Sequence, residues 1–154
     1  MTHTTTPDTA TLVETYFAMW RTTDPTERAE LVATTFTPDG RHIDQHADAT
    51  GHAELTEMIA GVHAGFPGLQ MARTSGIDRF GDQLRFTWTL DGADGTPIVA
   101  GLDVAEVAPD GRLQRVTGFW GDLPATCFRR PGPGSNADKP CQRRARTVER
   151  WPSR

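Results

Sequence analysis

The 154-residue chain is long enough for one domain of ordinary size and carries a formal net charge of −4. That sum conceals a split: up to Pro124 there are 8 Arg and no Lys against 18 acidic residues, a balance of −10, while the remainder carries +6. The acidic body argues against a nucleic-acid-binding domain, no stretch approaches the ~20 apolar residues of a membrane span, and the Thr-rich segment Met1 to Pro7 lacks the apolar core of a signal peptide. A cytoplasmic protein is therefore expected. Residues 1–8 and the basic, Pro/Gly/Arg-rich residues 125–154 read as disordered extensions of a domain over residues 9–124. The partner of the basic tail, if it has one, stays open. The two cysteines, Cys127 and Cys141, fall in that tail and have no metal-ligand spacing.

Within the domain, Thr9 to Arg21 reads as a helix with Leu12, Val13, Tyr16, Phe17 and Trp20 on one face. Asp24-Pro25-Thr26-Glu27 is a helix start, with Asp24 as cap, Pro25 at the first helical position and Glu27 completing a capping-box-like pattern. That second helix runs to about Thr35 and buries Leu31 and Val32. Pro38-Asp39-Gly40 marks a turn before a short strand over Arg41 to Gln45. A third helix covers His52 to Val62, with Leu55, Met58, Ile59 and Val62 at helical spacing, and ends at Phe66-Pro67-Gly68. His52 and His63 read as surface residues of that helix.

From there the period changes from 3.6 to 2. Leu69 to Asp78, Gln83 to Leu90, Ile98 to Val107 and Leu113 to Trp120 read as four consecutive strands, with turns at Asp91 to Gly95 and at Pro109-Asp110-Gly111. Helices followed by an antiparallel meander imply an α+β domain with helices on one face of a curved sheet. Asp103 is the exception in its strand, a lone acid among apolar residues, which is costly to bury unless paired or used.

The order and spacing of these pieces resemble the nuclear transport factor 2-like superfamily, in its SnoaL-like branch (polyketide cyclase and ketosteroid isomerase-like proteins). The resemblance covers about residues 9–122. It rests on Tyr16 to Asp24, the strand from Asp39-Gly40 to Asp44, Gly51, Phe66-Pro67-Gly68, Arg85-Phe86-Thr87-Trp88, Gly101-Leu102-Asp103, and Asp110-Gly111-Arg112-Leu113 with Gly118-Phe119. It implies a cone, a strongly bent sheet wrapped around the N-terminal helices with an apolar pocket at one end. Ketosteroid isomerases place a tyrosine on the first helix, a base aspartate on the first strand and a protonated aspartate deep in the sheet. Tyr16, Asp44 and Asp103 are similar to these in turn. The chain departs from the pattern in the spacing from Asp24 to Asp44 and in having Gln45 where a proline commonly follows the aspartate.

The resemblance makes Asp103, Asp44 and Tyr16 the candidate catalytic residues. Trp20, His42, Phe86, Trp88, Phe119 and Trp120 are the candidate pocket lining. Desolvation would raise the Asp103 pKa and let it donate to an oxyanion, or an ionised carboxylate would act as base. His42, Asp44 and His46 alternate on one strand face, but residues four apart on a strand lie ~13 Å from each other, too far to converge on one ion, so no metal is expected. His42 and His46 remain candidates for a proton shuttle beside Asp44. No phosphate-cradling glycine loop or nucleophile elbow is present, and no cofactor is expected. An epoxide-hydrolase role is disfavoured, because Gly101 stands where that relative within the fold has an arginine two residues before its aspartate.

Two functions follow as expectations. One is a cofactor-free isomerase or cyclase acting on a small apolar carbonyl compound by proton abstraction next to the carbonyl. The other is a non-catalytic ligand-binding or dimerisation module, since one fold hosts many functions. The even face of the long third strand, Ile98, Ala100, Leu102 and Val104, is also apolar, which predicts a homodimer that covers it.

Overall fold

The structure is a computed structural model and describes residues 8–122. The elements run α1 (Thr9–Arg21), α2 (Pro25–Thr35), β1 (Phe36–Ile43), β2 (Asp48–Thr50), α3 (Gly51–Gly65), β3 (Gln70–Arg73), β4 (Asp78–Phe80), β5 (Gln83–Asp91), β6 (Pro97–Val107) and β7 (Leu113–Trp120). Helix α1 has the predicted bounds and buries Leu12, Val13, Tyr16, Phe17, Met19 and Trp20. Asp24 caps α2, its side chain accepting from the Glu27 amide at 2.8 Å. The capping box is not closed, because the Glu27 carboxylate takes the Thr22 hydroxyl instead. Val32 is fully buried and Leu31 half-buried.

Two arginines stitch this half together. Arg28, buried on α2, donates to the Thr22 and Thr23 carbonyls. Arg112, held by Asp110 in the β6–β7 turn, donates to the Ala33 and Phe36 carbonyls, where the C-terminus of α2 offers unsatisfied acceptors. His52 and His63 are half-buried ties and not the surface residues expected: their Nε2 atoms meet the Phe36 and Trp20 carbonyls and bind α3 to β1 and to α1.

The seven strands form one curved, unclosed mixed sheet in the order β2-β1-β7-β6-β5-β3, with β4 also paired to β5. Every pairing is antiparallel except that of β1 with β7. The helices cover its concave face, to which β5 contributes Leu84, Phe86, Trp88 and Leu90, all buried. Pro38-Asp39-Gly40 lies inside β1, not in a turn before it. The register against β7 shifts between Phe36 and Arg41, so the segment is a bulge, a place where a strand tolerates proline. A Cβ on Gly40 would stand 2.8 Å from the Phe36 ring, so the bulge folds tightly over that residue. The predicted first strand of the meander is divided, with β3 ending at Arg73 and the exposed β4 restarting at Asp78. The β6–β7 turn is as predicted: Gly111 has φ +87°, and Asp110 accepts the Arg112 amide.

On the convex face Ile98 and Phe119 are about half exposed, and Leu102, paired with Phe119 in register, is half-buried. None of the described helices is long and apolar enough to cross a membrane. Residues 1–7 and 123–154, with both cysteines and the basic tail, lie outside the described residues.

Gly101 is paired with Trp88, and a Cβ there would fall 2.2 Å from the indole ring. The absent side chain is what lets Trp88 lie across β6. Gly101→Ala is expected to cost about 1–3 kcal/mol by overpacking and to shift tryptophan emission; an unchanged urea midpoint and spectrum would contradict this packing.

Candidate active site

Asp103 sits in the middle of β6, opposite Phe86 on β5 and Gly118 on β7, and points to the concave side, where it is 1% exposed. Tyr16 reaches it from α1. The Tyr16 hydroxyl donates to Asp103 Oδ2 at 2.7 Å. Burial pushes the Asp103 carboxyl above its ordinary range, against the opposing influence of His42, the Tyr16 hydrogen bond and the Trp88 indole. Burial, reinforced by the neighbouring Asp103, also pushes the Tyr16 phenol well up. Asp103 is thus shifted toward its protonated form. Its Oδ1 has no partner among the described residues, and the Trp88 N–H, although near enough to act on the carboxyl, does not reach hydrogen-bond geometry.

Asp44 follows the end of β1 and is differently placed. Its Oδ1 accepts the backbone amides of His46 and Ala47 at 2.7 and 2.8 Å, an Asx-type turn, and its Oδ2 meets His42 Nε2 and Trp120 Nε1, both at 3.2 Å. Burial alone would raise its pKa, but the hydrogen bonds and charge of His42 and the two amides outweigh it, so the carboxylate is held below its ordinary range. The two acids therefore diverge, Asp103 toward the neutral form and Asp44 toward the ionised form. Opposed shifts of this kind let one site hold a group ready to donate beside a group held ionised.

Gly118 separates them. A Cβ on it would stand 3.1 Å from Asp103 Oδ1, 3.3 Å from Asp44 Cβ and 3.8 Å from His42 Nε2, so this glycine keeps the gap between the groups open. Beside it lies a narrow cavity walled by Tyr16, Trp20, His42, Trp88, Asp103 and Trp120, with Val62, Met71 and Leu90 closing the apolar side. Its free volume is about 10 Å³, room for about one water molecule. Four atoms of these walls are buried without a partner among the described residues: Trp20 Nε1, His42 Nδ1, Trp88 Nε1 and Asp103 Oδ1. Buried polar groups are rarely left so in native proteins.

The structure thus brings Tyr16, Asp103, His42 and Asp44 together, with Trp20, Trp88 and Trp120 around them. It does not bring in Phe119. Neighbours on a strand point to opposite faces, so with Trp120 inside, Phe119 lies on the convex face, 49% exposed. Phe86 is on the concave face but does not line the cavity; it packs edge-on against Tyr16 at 5.7 Å and so backs the phenol. Among the described residues no three His, Cys, Asp or Glu side chains are grouped to hold a metal ion. Four contributors lie outside the expected set. Val62, Met71 and Leu90 carry only an apolar pattern in the sequence. Gly118 reads from the sequence as a fold marker, and the structure uses it as a spacer. Gln45, the departure after Asp44, is used: its amide accepts from the Trp120 backbone N–H and donates to the Trp120 carbonyl, at 3.2 and 3.3 Å.

The sequence matches no protein-family model and no curated protein. Among solved structures, a provisional isomerase of the SnoaL-like family from Agrobacterium tumefaciens strain C58 superposes with a TM-score of 0.71 at 29% identity, over 73% of this chain and 97% of that one. The chain has the nuclear transport factor 2-like fold and is similar to proteins of its SnoaL-like branch. A provisional polyketide cyclase from Sinorhizobium meliloti (TM-score 0.57, 18% identity, 70% and 92% covered) shares the fold. So does a nuclear transport factor 2-like protein of unknown function from Exiguobacterium sp. 255-15 (0.60, 18%, 73% and 100%).

The opposed shifts give this SnoaL-like domain a distinct pH signature. With its folded pKa raised, Asp103 costs stability as pH climbs from the unfolded carboxylate range through the raised value. With its folded pKa depressed, Asp44 contributes stability above the unfolded range and loses it as pH falls through the depressed value. Urea midpoints measured across pH are expected to lose the first slope in Asp103→Asn and the second in Asp44→Asn. Parallel profiles for Asp103→Asn and the parent would show that Asp103 ionises normally.

Proposed function

We propose that the protein is a cofactor-free isomerase or cyclase that acts on a small apolar carbonyl compound, removing a proton next to the carbonyl and stabilising the enolate. The observation that carries this reading is the Tyr16–Asp103 pair: a buried carboxyl, disposed to be neutral, with one oxygen bonded to a phenol and the other unused on the cavity wall. Protonated on Oδ1, Asp103 donates to the substrate oxygen, and the Tyr16 hydrogen bond to Oδ2 strengthens that donor. Such a donor gains most when charge develops on the oxygen, in surroundings that exclude water. The indoles of Trp20, Trp88 and Trp120 with Val62, Met71 and Leu90 supply those surroundings. The base approaches from the β1 side, across the gap at Gly118. The Agrobacterium neighbour's description as an isomerase is in keeping with the reading. A ligand larger than a water molecule enters by displacing wall side chains, and half-buried Trp120 is the wall residue at the end of its strand.

The test is hydrogen–deuterium exchange next to the carbonyl of 2-tetralone or cyclohexanone in D₂O, followed by NMR. The wild type is expected to accelerate exchange, and Asp103→Ala to lose about 10²–10³-fold of it, the usual effect of removing an oxyanion donor. Exchange equal in both would overturn the reading. Binding of both ketones without exchange would make the protein the ligand-binding module that is the alternative for this fold.

The same proposal takes the protein as a homodimer through its convex face, on the strength of adjoining apolar residues Ile98, Leu102 and Phe119 left partly exposed there. Phe119→Arg is expected to halve the sedimenting mass without disturbing the cavity; a wild type that sediments as a monomer would refute this.

A further inference from the structure

We infer that the group that takes the proton is the His42 imidazole, with Asp44 acting on it as a positioning residue and not as the base itself. The inference rests on the carbonyl reading above and sharpens it.

The first observation is that Asp44 is already occupied. An ionised carboxylate offers about four lone-pair sites, and four donors converge on this one: two backbone amides on Oδ1, His42 and the Trp120 indole on Oδ2. To receive a proton from a carbon acid, Asp44 would have to give up one of these bonds. It is also not among the residues that wall the cavity, whereas His42 is.

The second observation is the state of His42. The side chain is 3% exposed, its Nε2 faces Asp44 Oδ2, and its Nδ1 has no partner among the described residues. An ionised carboxylate can only accept, so the shared hydrogen belongs to Nε2. Nδ1 is then the position at which the ring gains or loses a proton. This is the logic of a base oriented by a third group, which fixes the tautomer and stabilises the cation formed.

The third observation is how firmly the pair is placed. Residues two apart on a strand share a face, and β1 holds His42 between two neighbours, opposite Ala49 of β2 and Val116 of β7. The Trp20 ring packs edge-on against the imidazole at 5.7 Å. The Nε2 edge of His42 and Asp103 Oδ1 both border the Gly118 position, and the two residues also share the walls of the cavity. The ionisable groups around the imidazole are Asp44 from β1 itself, Asp103 from β6 and, beyond it, Tyr16 from α1.

The step balances without an oxidant or a co-reactant. His42 Nδ1 takes the proton from the carbon next to the carbonyl. The C–H electron pair becomes the enolate C=C bond, and the carbonyl π pair moves onto oxygen, which Asp103 Oδ1–H holds. The imidazolium is paired with ionised Asp44 until it returns the proton to carbon, at a different atom for an isomerisation.

Two measurements on the full chain test this. The ¹⁵N spectrum of the wild-type histidines is expected to show His42 with hydrogen on Nε2 and none on Nδ1 in its neutral form, and Asp44→Asn to mix the tautomers. A wild-type His42 carrying hydrogen on Nδ1 would overturn the assignment, and needs no variant to fold. In the 2-tetralone exchange assay, His42→Ala is expected to lose at least about 10²-fold and to recover part of it with added imidazole. His42→Gln is expected to lose as much with no recovery. Exchange retained in His42→Gln would sink this assignment and leave the enolate reading standing. A wild type with no exchange would sink both.

Discussion

The hydrogen bond between Tyr16 and Asp103 is 2.7 Å long and sealed from solvent, and the arrangement of the domain is best understood from it. Placing a carboxyl in the middle of an apolar sheet is costly. A single phenol relieves only one of its oxygens. The surroundings of the pair bear on that cost: Phe86 backs the tyrosine, Gly118 leaves space beside the second oxygen, and the Trp88 indole lies near the carboxyl because Gly101 has no side chain to prevent it. A fold selected only for stability would replace this acid with a valine. Retaining it, half satisfied, fits a site that spends stability on a poised donor.

The second acid shows the opposite solution within the same few ångströms. Asp44 is also largely withdrawn from solvent, yet a turn supplies two amides and two side chains complete its shell. The contrast comes from backbone placement. Asp103 lies within a regular strand whose amides are committed to the ladder, while Asp44 lies just past a strand end, where the Asp44–Ala47 turn leaves amides free to bind it. Chemically identical side chains are thereby given opposite protonation preferences by their backbone placement.

Much of this was legible in the sequence where a local rule governs. The apolar stripe of α1, the Asp24-Pro25 start of α2 and the Pro109-Asp110-Gly111 hairpin each follow from contacts within a few residues. Asp103 stood out because it interrupts a period-2 pattern. What escaped depends on pairing between distant segments. Pro38-Asp39-Gly40 has the composition of a turn, and only its parallel pairing with β7 makes it a bulge. Strand β4 is exposed throughout and so has no burial pattern to read. Phe119 was grouped with Trp120 by chemistry although alternation separates them. Arg28, Arg112, His52 and His63 were invisible as ties, since their partners are backbone carbonyls that any sequence would provide. The spacing of His42 and Asp44 was plain, but that their side chains touch, and that the imidazole and not the carboxylate faces the cavity, depends on where the turn after β1 aims Asp44.

The paired contacts between the Gln45 amide and the Trp120 backbone extend the β1–β7 ladder by one further rung, built from a side chain. Because the indole of that same Trp120 also bonds Asp44, the rim of the cavity and the anchor of the imidazole are mechanically one part. Anything large enough to push Trp120 aside withdraws a donor from Asp44 as it enters. Asp44 is then left with His42 and two backbone amides as its donors, so under the proposed mechanism ligand entry acts on the pair that orients the imidazole. A chain with proline in place of Gln45 would lose that rung, and its rim would open without reference to the state of the site.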